Sequence, residues 1–379
     1  MEPSIGTLTI ERFRAFRKLT IEGLGRVNLI TGRNNTGKSS VLEALRILAS
    51  DASPSVLHDI LRSREEYLDG AAKPGAPQLG PEGAFELSSL FHGFPSFPRP
   101  GTTLGPLAIR SDSGGHRMRV SIGTGWFAEE PGPAGTRNLV PYEQDRFLPN
   151  QAIPGLVLER ESGRVEVPLG YWLSHDTISR FRLLDQIGDL RLRCVFVDPY
   201  GGERTATLAR LWDKIALSGL EEDVVEALRV VEPGIKAVSM VGGEGSGRGR
   251  SAIVRADGYP RPLPLRSFGD GLNRLLGILL SLANADGGLL LIDEFENGLH
   301  HTVQTDTWRA VFRLAADLDV QVVATSHSWD AVEAFQQAAS ETPEEGVLIR
   351  LTRKGEDIIP TLFREEELAV ATRDRIEVR

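Results

Sequence analysis

The sequence predicts an α/β fold: a mixed sheet with flanking helices and an antiparallel β subdomain, with a middle lobe inserted into it. Three observations point there. Apolar runs of strand length, VNLIT (27–31), GLLLID (288–293) and VQVVAT (320–325), are each followed by a turn and a helical pattern. Those runs fall in two separated regions, 1–50 and 255–379, which predicts one discontinuous domain. Between them, 51–254 reads as hairpins, helices and loops, the expected inserted lobe.

The elements follow in order. ERFRAFRKLTIEGL (11–24) alternates polar and apolar residues as short strands do, and VNLIT is a buried strand ending at glycine. KSSVLEALRILAS places Val41, Leu42, Leu45 and Leu48 on one helical face. KPGAPQLGPEG and FPSFPRPG read as loops, and FELSSLFHG between them as a short helix or strand. LAIRSDSGGHRMRVSIG and GLVLERESGRVEVPLG read as hairpins, ATLARLWDKIAL and EEDVVEALRVV as helices, and GGEGSGRGRS as a flexible turn. A helix at 272–284, the strand GLLLID, a helix at 303–317, the strand VQVVAT, a helix from Trp329, the strand VLIRLTR and a charged C-terminal helix complete the chain.

Bulk properties bound the function. With 379 residues and 41% hydrophobic content, two or three lobes with a real core are expected. The net charge of -9, from 52 acidic against 43 basic residues, does not indicate a nucleic-acid partner. Arg248, Arg250, Arg255, Arg261 and Arg266 around the glycine-rich turn read as a solvated hairpin. The one cysteine, Cys194, excludes a disulfide framework and a cysteine zinc site within one chain; RLRCVFVDP reads as a buried strand thiol. The longest apolar run, LLGILLSLA (275–283), is half a membrane span, and no signal-peptide pattern opens the chain. A cytoplasmic protein without a membrane partner is expected.

Chemistry is carried by four segments. Gly32-Arg33-Asn34-Asn35-Thr36-Gly37-Lys38-Ser39, continued by Ser40, satisfies G-x-x-x-x-G-K-[ST] between a strand and a helix. Its glycines let backbone N–H groups point at phosphate oxygens, Lys38 supplies charge for the β- and γ-phosphates, and Ser39 is placed for magnesium. Asp293 and Glu294 end the strand LLLI, at the edge where open α/β sheets bind ligands. Asp293 is the expected magnesium ligand, Glu294 the base that orients the attacking water. His327, after VQVVATS, is expected to donate to the γ-phosphate or hold that water. Ser267-Phe268-Gly269-Asp270-Gly271 precedes a buried helix, where small residues let N–H groups face an anion. The expected cofactors are therefore ATP and Mg2+; no N-K-x-D guanine-reading motif occurs. Phe13 and Phe16 read equally as adenine contacts or as core, and His300-His301 as surface residues rather than metal ligands.

The order phosphate loop, SFGDG, LLLIDE, TSH resembles the ABC-type ATPase heads of the RecF, Rad50 and structural-maintenance group. TIERFRAFRKLTIEGLGRVNLITGRNNTGKSS, PLRSFGDGLNRLLGILLSLANADGGLLLIDEFENGLHH and VQVVATSHSWDAVEAF resemble more closely the AAA15/AAA21 group, related to the overcoming-lysogenization-defect (OLD) proteins. The resemblance covers about half the chain. It implies an ABC-type P-loop ATPase that hydrolyses ATP, working as a homo-oligomer of paired heads. Ser267, Gly269, Asp270 and Gly271 would then contact the partner's nucleotide in trans, although Gly269 and Asp270 depart from the L-S-G-G-Q pattern. Glu296 to His300 resembles the loop that crosses the dimer seam, and His92 stands near the expected glutamine-loop position. No D-x-D sits in a nuclease-like context, so a sensor or scaffold subunit of an anti-phage system, working with a separate effector protein, is the implied role. The alternative is a RecF-like DNA-repair or chromosome-maintenance ATPase.

Overall fold

Six consecutive buried residues make strand β3 (Val27–Gly32), the pattern of a strand covered on both faces. Even its polar member is fully paired: Asn28 donates to the carbonyls of Gly25 and Val322 and accepts from the Gly25 N–H. In this computed structural model the described residues are 3–66, 87–97, 102–114, 116–131, 137–142, 153–168, 192–199, 205–242, 250–342 and 345–378. Among them β3 lies between β14 (Gln321–Thr325) and β15 (Gly346–Lys354) in a six-stranded sheet. β13 (Leu289–Ile292) and β9 (Cys194–Val197) extend it in parallel on one side, and β16 (Asp357–Phe363) closes the other side antiparallel. The mixed sheet expected from the sequence is present.

Alternation within the strands divides the core in two. Leu290 and Ile292 of β13, with Val322 and Ala324 of β14, face α5 (Asp270–Ala283), α6 (His301–Asp317) and α7 (Trp329–Ala339). Leu289, Leu291 and Val323 face α1 (Lys38–Ala49) and a second sheet. Successive strand side chains point to opposite faces, so one strand serves both cores. α3 (Thr205–Ile215), α4 (Leu220–Val231) and the small sheet β10 (Ile235–Val241), β11 (Ser251–Ala256) and β12 (Leu263–Pro264) join the first core, as does α8 (Glu365–Arg373).

The second sheet is antiparallel. Its order is β2 (Phe16–Glu22), β1 (Thr7–Phe13), β4 (Leu107–Ser113), β5 (His116–Pro131), β7 (Ile153–Arg160) and β8 (Gly163–Pro168), with β6 (Arg137–Pro141) also on β5. The segment expected as an inserted lobe therefore shares both large sheets with its flanks. β4 pairs with β1 and β9 pairs with β13, because each finds its exposed edge partner in the flanking halves.

α2 (Pro54–Ser63) is a helix in a stretch to which the sequence pattern assigns no element; Ser53 caps it by accepting from the Ser55 N–H, and Pro54 stands at its first turn. Leu87–Leu90 is a single 3-10 turn, and Phe91 bridges to Phe13. The loop KPGAPQLGPEG, residues 243–249 with Arg248, and 171–191 lie outside the described residues. No described helix is long and apolar enough to cross a membrane.

Candidate functional site

The loop from Gly32 to Gly37 turns the chain from β3 into α1. Gly32 has φ +143, and a Cβ there would lie 2.5 Å from the Leu351 carbonyl oxygen. Gly37 has φ +85, and a Cβ there would lie 2.6 Å from the Phe16 ring. Both positions exclude a side chain on backbone and contact grounds. Phe16 is thus a buried support under the loop, and Phe13 is equally buried, as the core reading of both expects. Lys38, the first residue of α1, folds over the loop and donates to the carbonyls of Gly32 at 2.7 Å and Arg33 at 3.3 Å. Burial holds its ammonium below the usual lysine range, opposed by Glu296, Asp293 and Glu294. An ammonium at a helix N-terminus, partly stripped of water, is a strong anion ligand.

Facing it is a chain of contacts from two adjacent parallel strands. β13 pairs with β14 so that Ile292 stands opposite Ala324, which sets the next residues, Asp293 and Thr325, side by side. Thr325 Oγ1 donates to Asp293 Oδ1 at 2.5 Å and accepts from the Glu294 N–H at 2.9 Å. Ser39 Oγ donates to the same Asp293 Oδ1 at 3.1 Å. Glu294 is held in the left-handed region at φ +49, a conformation that costs about 1–2 kcal/mol for a residue with a Cβ. The Phe295 N–H bound to the Thr325 carbonyl, and Phe295 stacked on Trp308 at 3.8 Å, hold that turn in place. Such a ring pair is worth about 0.5–1.5 kcal/mol beyond its burial. Asn297 Nδ2 donates to Glu294 Oε2 at 2.6 Å.

These groups open on a pocket of about 500 Å³. Asn34, Asn35, Thr36, Gly37, Lys38, Ser39, Ser40, Asp293, Glu294 and His327 all line it. Gly32 and Arg33 reach it only through the Lys38 contacts. The lining also includes Arg14, Arg64, His92, Phe94 and Arg353. Arg14, 1% exposed, pairs with Glu43 at 2.5 Å and Glu66 at 2.6 Å; Arg64 reaches the other oxygen of Glu43 at 2.5 Å. His92 contacts the Arg14 carbonyl through Nδ1 at 3.0 Å. Arg353, on β15, donates to the Asn35 carbonyl at 3.0 Å.

Ser267, Gly269, Asp270 and Gly271 do not line this pocket. Ser267, Gly269 and Asp270 are exposed, at the N-terminus of α5. A Cβ on Gly271 would lie 3.4 Å from the Gly298 carbonyl, so this segment neighbours the loop after Asp293-Glu294. His300 caps α6, its Nδ1 accepting from the Thr302 N–H, and no metal-binding cluster of His, Cys, Asp and Glu occurs among the described residues. Cys194 is only partly buried, because β9 is an edge strand; its packed surroundings push the thiol up to about 12, with Arg46 opposing. The sequence reading gives Arg14, Arg64 and Arg353 no role, places Glu296 and Asn297 in a seam loop rather than beside His327 and Glu294, and names Thr325 only as part of the histidine segment. Thr325 and Glu296 carried a usable signal, lying within two residues of His327 and Glu294.

The family model AAA_21, described as "AAA domain, putative AbiEii toxin, Type IV TA system", matches residues 162–332. A second model, described as "AAA domain", matches residues 7–57. An "ATP/GTP phosphatase" of Helicobacter pylori is 22% identical over 96% of each chain. An uncharacterized protein of Methanocaldococcus jannaschii, MJECL10, is 50% identical over 46 residues, 12% of this chain and 21% of that one. Among solved structures, the SMC head bound to the C-terminal winged-helix domain of ScpA aligns over 96% of this chain and 99% of that one. The TM-score is 0.51 at 11% identity, a likeness of fold. Two segments of the chain thus match AAA-domain family models, on a fold shared with SMC heads, the ABC-type P-loop head, and a distant homologue is described as an ATP/GTP phosphatase.

Proposed function

We propose that this chain binds ATP with magnesium and hydrolyses it, using the γ-phosphate as a conformational switch. The observation that carries the reading is Asp293 Oδ1, held between Ser39 Oγ and Thr325 Oγ1 at the foot of the phosphate loop. Ser39 and Asp293 form an oxygen donor set of the hard type that magnesium prefers, so the residues fit that ion. When bound, magnesium would neutralise charge on the phosphates. Lys38 and the N-terminal N–H groups of α1 bind phosphate oxygens. Glu294 accepts from the attacking water and orients it, and Asn297 fixes that carboxylate's direction. His327, on the same wall, acts on the water or the γ-phosphate.

The larger role we assign is a switch or scaffold subunit working as paired heads, with Ser267, Gly269, Asp270 and Gly271 facing the partner's nucleotide. The exposure of Ser267, Gly269 and Asp270, outside their own chain's pocket, supports this reading. The resemblance to OLD-related ATPases, and a family description that includes a toxin–antitoxin system, support a cytoplasmic anti-phage function with a separate effector protein. The SMC-head fold favours the alternative, a chromosome-maintenance or repair ATPase that acts on DNA. Magnesium-dependent phosphate release, measured with and without double-stranded DNA and for Glu294→Gln, tests the reading. Release abolished in Glu294→Gln and unchanged by DNA is expected. Strong stimulation by DNA would favour the alternative, and no release with magnesium would overturn the ATPase reading.

A further inference from the structure

We propose that Glu296 is a positioning residue for His327, fixing which imidazole nitrogen the pocket receives. This rests on the proposed function. Glu296 lies two residues past Glu294, in the turn anchored by Phe295 on Trp308. Its side chain is 8% exposed, although a carboxylate is seldom buried without strong compensation. Oε1 accepts from the His327 main-chain N–H at 2.9 Å and stands 3.1 Å from His327 Nδ1. Oε2 is buried with no hydrogen-bond partner among the described residues. His327 itself is 51% exposed on the pocket wall.

The consequence is a matter of lone pairs. A carboxylate oxygen has no proton to give, and its negative charge 3.1 Å away favours the ring that carries hydrogen on Nδ1 over the one with a bare nitrogen there. Glu296 therefore selects the histidine with its proton on Nδ1. The nitrogen left for the pocket is Nε2, whose lone pair in the neutral ring accepts from water. The same oxygen also pins the backbone of His327, so ring and main chain are set by one atom. Carboxylates that orient a metal-bound histidine act in this way, their loss typically costing roughly 10- to 100-fold in affinity or activity, and a loss on that scale is expected here. Glu294 and His327 would then both accept from the attacking water, and Glu296 would reach that water through the histidine, beside the charge it sets against Lys38.

Two measurements decide it, with unfolding midpoints checking that each variant is folded. In the nucleotide-free protein, long-range 1H–15N spectra of labelled histidine, with His327 assigned by its loss in His327→Ala, should show Nδ1 protonated. Glu296→Ala should shift the proton toward Nε2. A bare Nδ1 in the wild type would overturn the proposal. In magnesium-ATP turnover, Glu296→Ala should lower kcat roughly 10- to 100-fold with KM little changed, and Glu296→Gln, which keeps an acceptor oxygen, should recover part of it. The same Glu296→Ala change made in His327→Ala should have no further effect, since nothing remains to be positioned. An undiminished loss in that background would show that Glu296 serves the fold or another group. Wild-type turnover in His327→Ala would remove the role of His327 and this one with it. A wild type that hydrolyses no ATP would overturn the proposed function, while the spectra would still decide whether Glu296 sets the tautomer.

Discussion

Thr325 Oγ1 donates to Asp293 Oδ1 at 2.5 Å across two parallel strands, and the same hydroxyl accepts from the N–H of Glu294. One oxygen thereby sets the direction of the expected magnesium ligand and the left-handed turn that presents the expected base. Thr325→Val keeps the shape and removes both bonds. It should lower unfolding stability by about 1–3 kcal/mol, the penalty for leaving buried partners unsatisfied. It should also weaken magnesium-dependent ATP binding, and Thr325→Ser should restore both. Titration calorimetry with and without magnesium, alongside urea unfolding, is the check.

Lys38 is the cation that folds over the loop itself, on the Gly32 and Arg33 carbonyls. Lys38→Ala should weaken ATP binding by about 1.5–3 kcal/mol, the range for hydrogen bonds to charged groups, or roughly 10- to 150-fold in Kd. Unchanged Kd in a folded variant would sink the phosphate-loop assignment.

Glu294→Gln keeps the side chain's shape and the Asn297 contact but loses the acceptor strength of the carboxylate. ATP binding should persist while kcat falls about 10²–10⁴-fold. Single-turnover measurements separate the two. Wild-type turnover would move the base role to another group, His327 first.

Paired heads predict that Glu294→Gln associates in magnesium-ATP, because hydrolysis no longer reopens the assembly. Gly271→Asp places a carboxylate at the exposed start of α5, where the partner's phosphates would lie, while binding within one chain stays intact. Light scattering with and without nucleotide reads both. A monomer in every condition, or normal turnover in Gly271→Asp, would defeat the seam.

Arg14 joins Glu43 and Glu66 in a nearly buried network. Removing one partner of such a network strands the others. Arg14→Met should therefore cost about 3–5 kcal/mol in unfolding free energy. A midpoint within error of the wild type would show that the carboxylates find water instead.

The phosphate loop, Asp293-Glu294 and His327 are legible as candidates because each motif is local in sequence, and the fold brings them to one pocket. Glycine spacing, a strand and a helix start suffice to build an anion nest, and backbone N–H groups do most of the binding. The fold class was legible for a similar reason: fully apolar runs followed by helical patterns require a sheet covered on both faces. The sheet partners were not. Alternation in 107–123 and 155–170 specifies strands but names no neighbour, so the antiparallel sheet that joins β4 to β1, and the pairing of β9 with β13, emerged only in the folded chain. The supporting residues belong to the same class. Thr325 meets Asp293 only because β13 and β14 run in parallel in one register, and Arg14 meets Glu66 across 52 positions of sequence. Sequence by itself determined the candidate groups for phosphate, since a short segment carries each. Tertiary structure decided what holds them, since a hydrogen bond between strands depends on pairing and register, which hydrophobic packing selects over the whole domain.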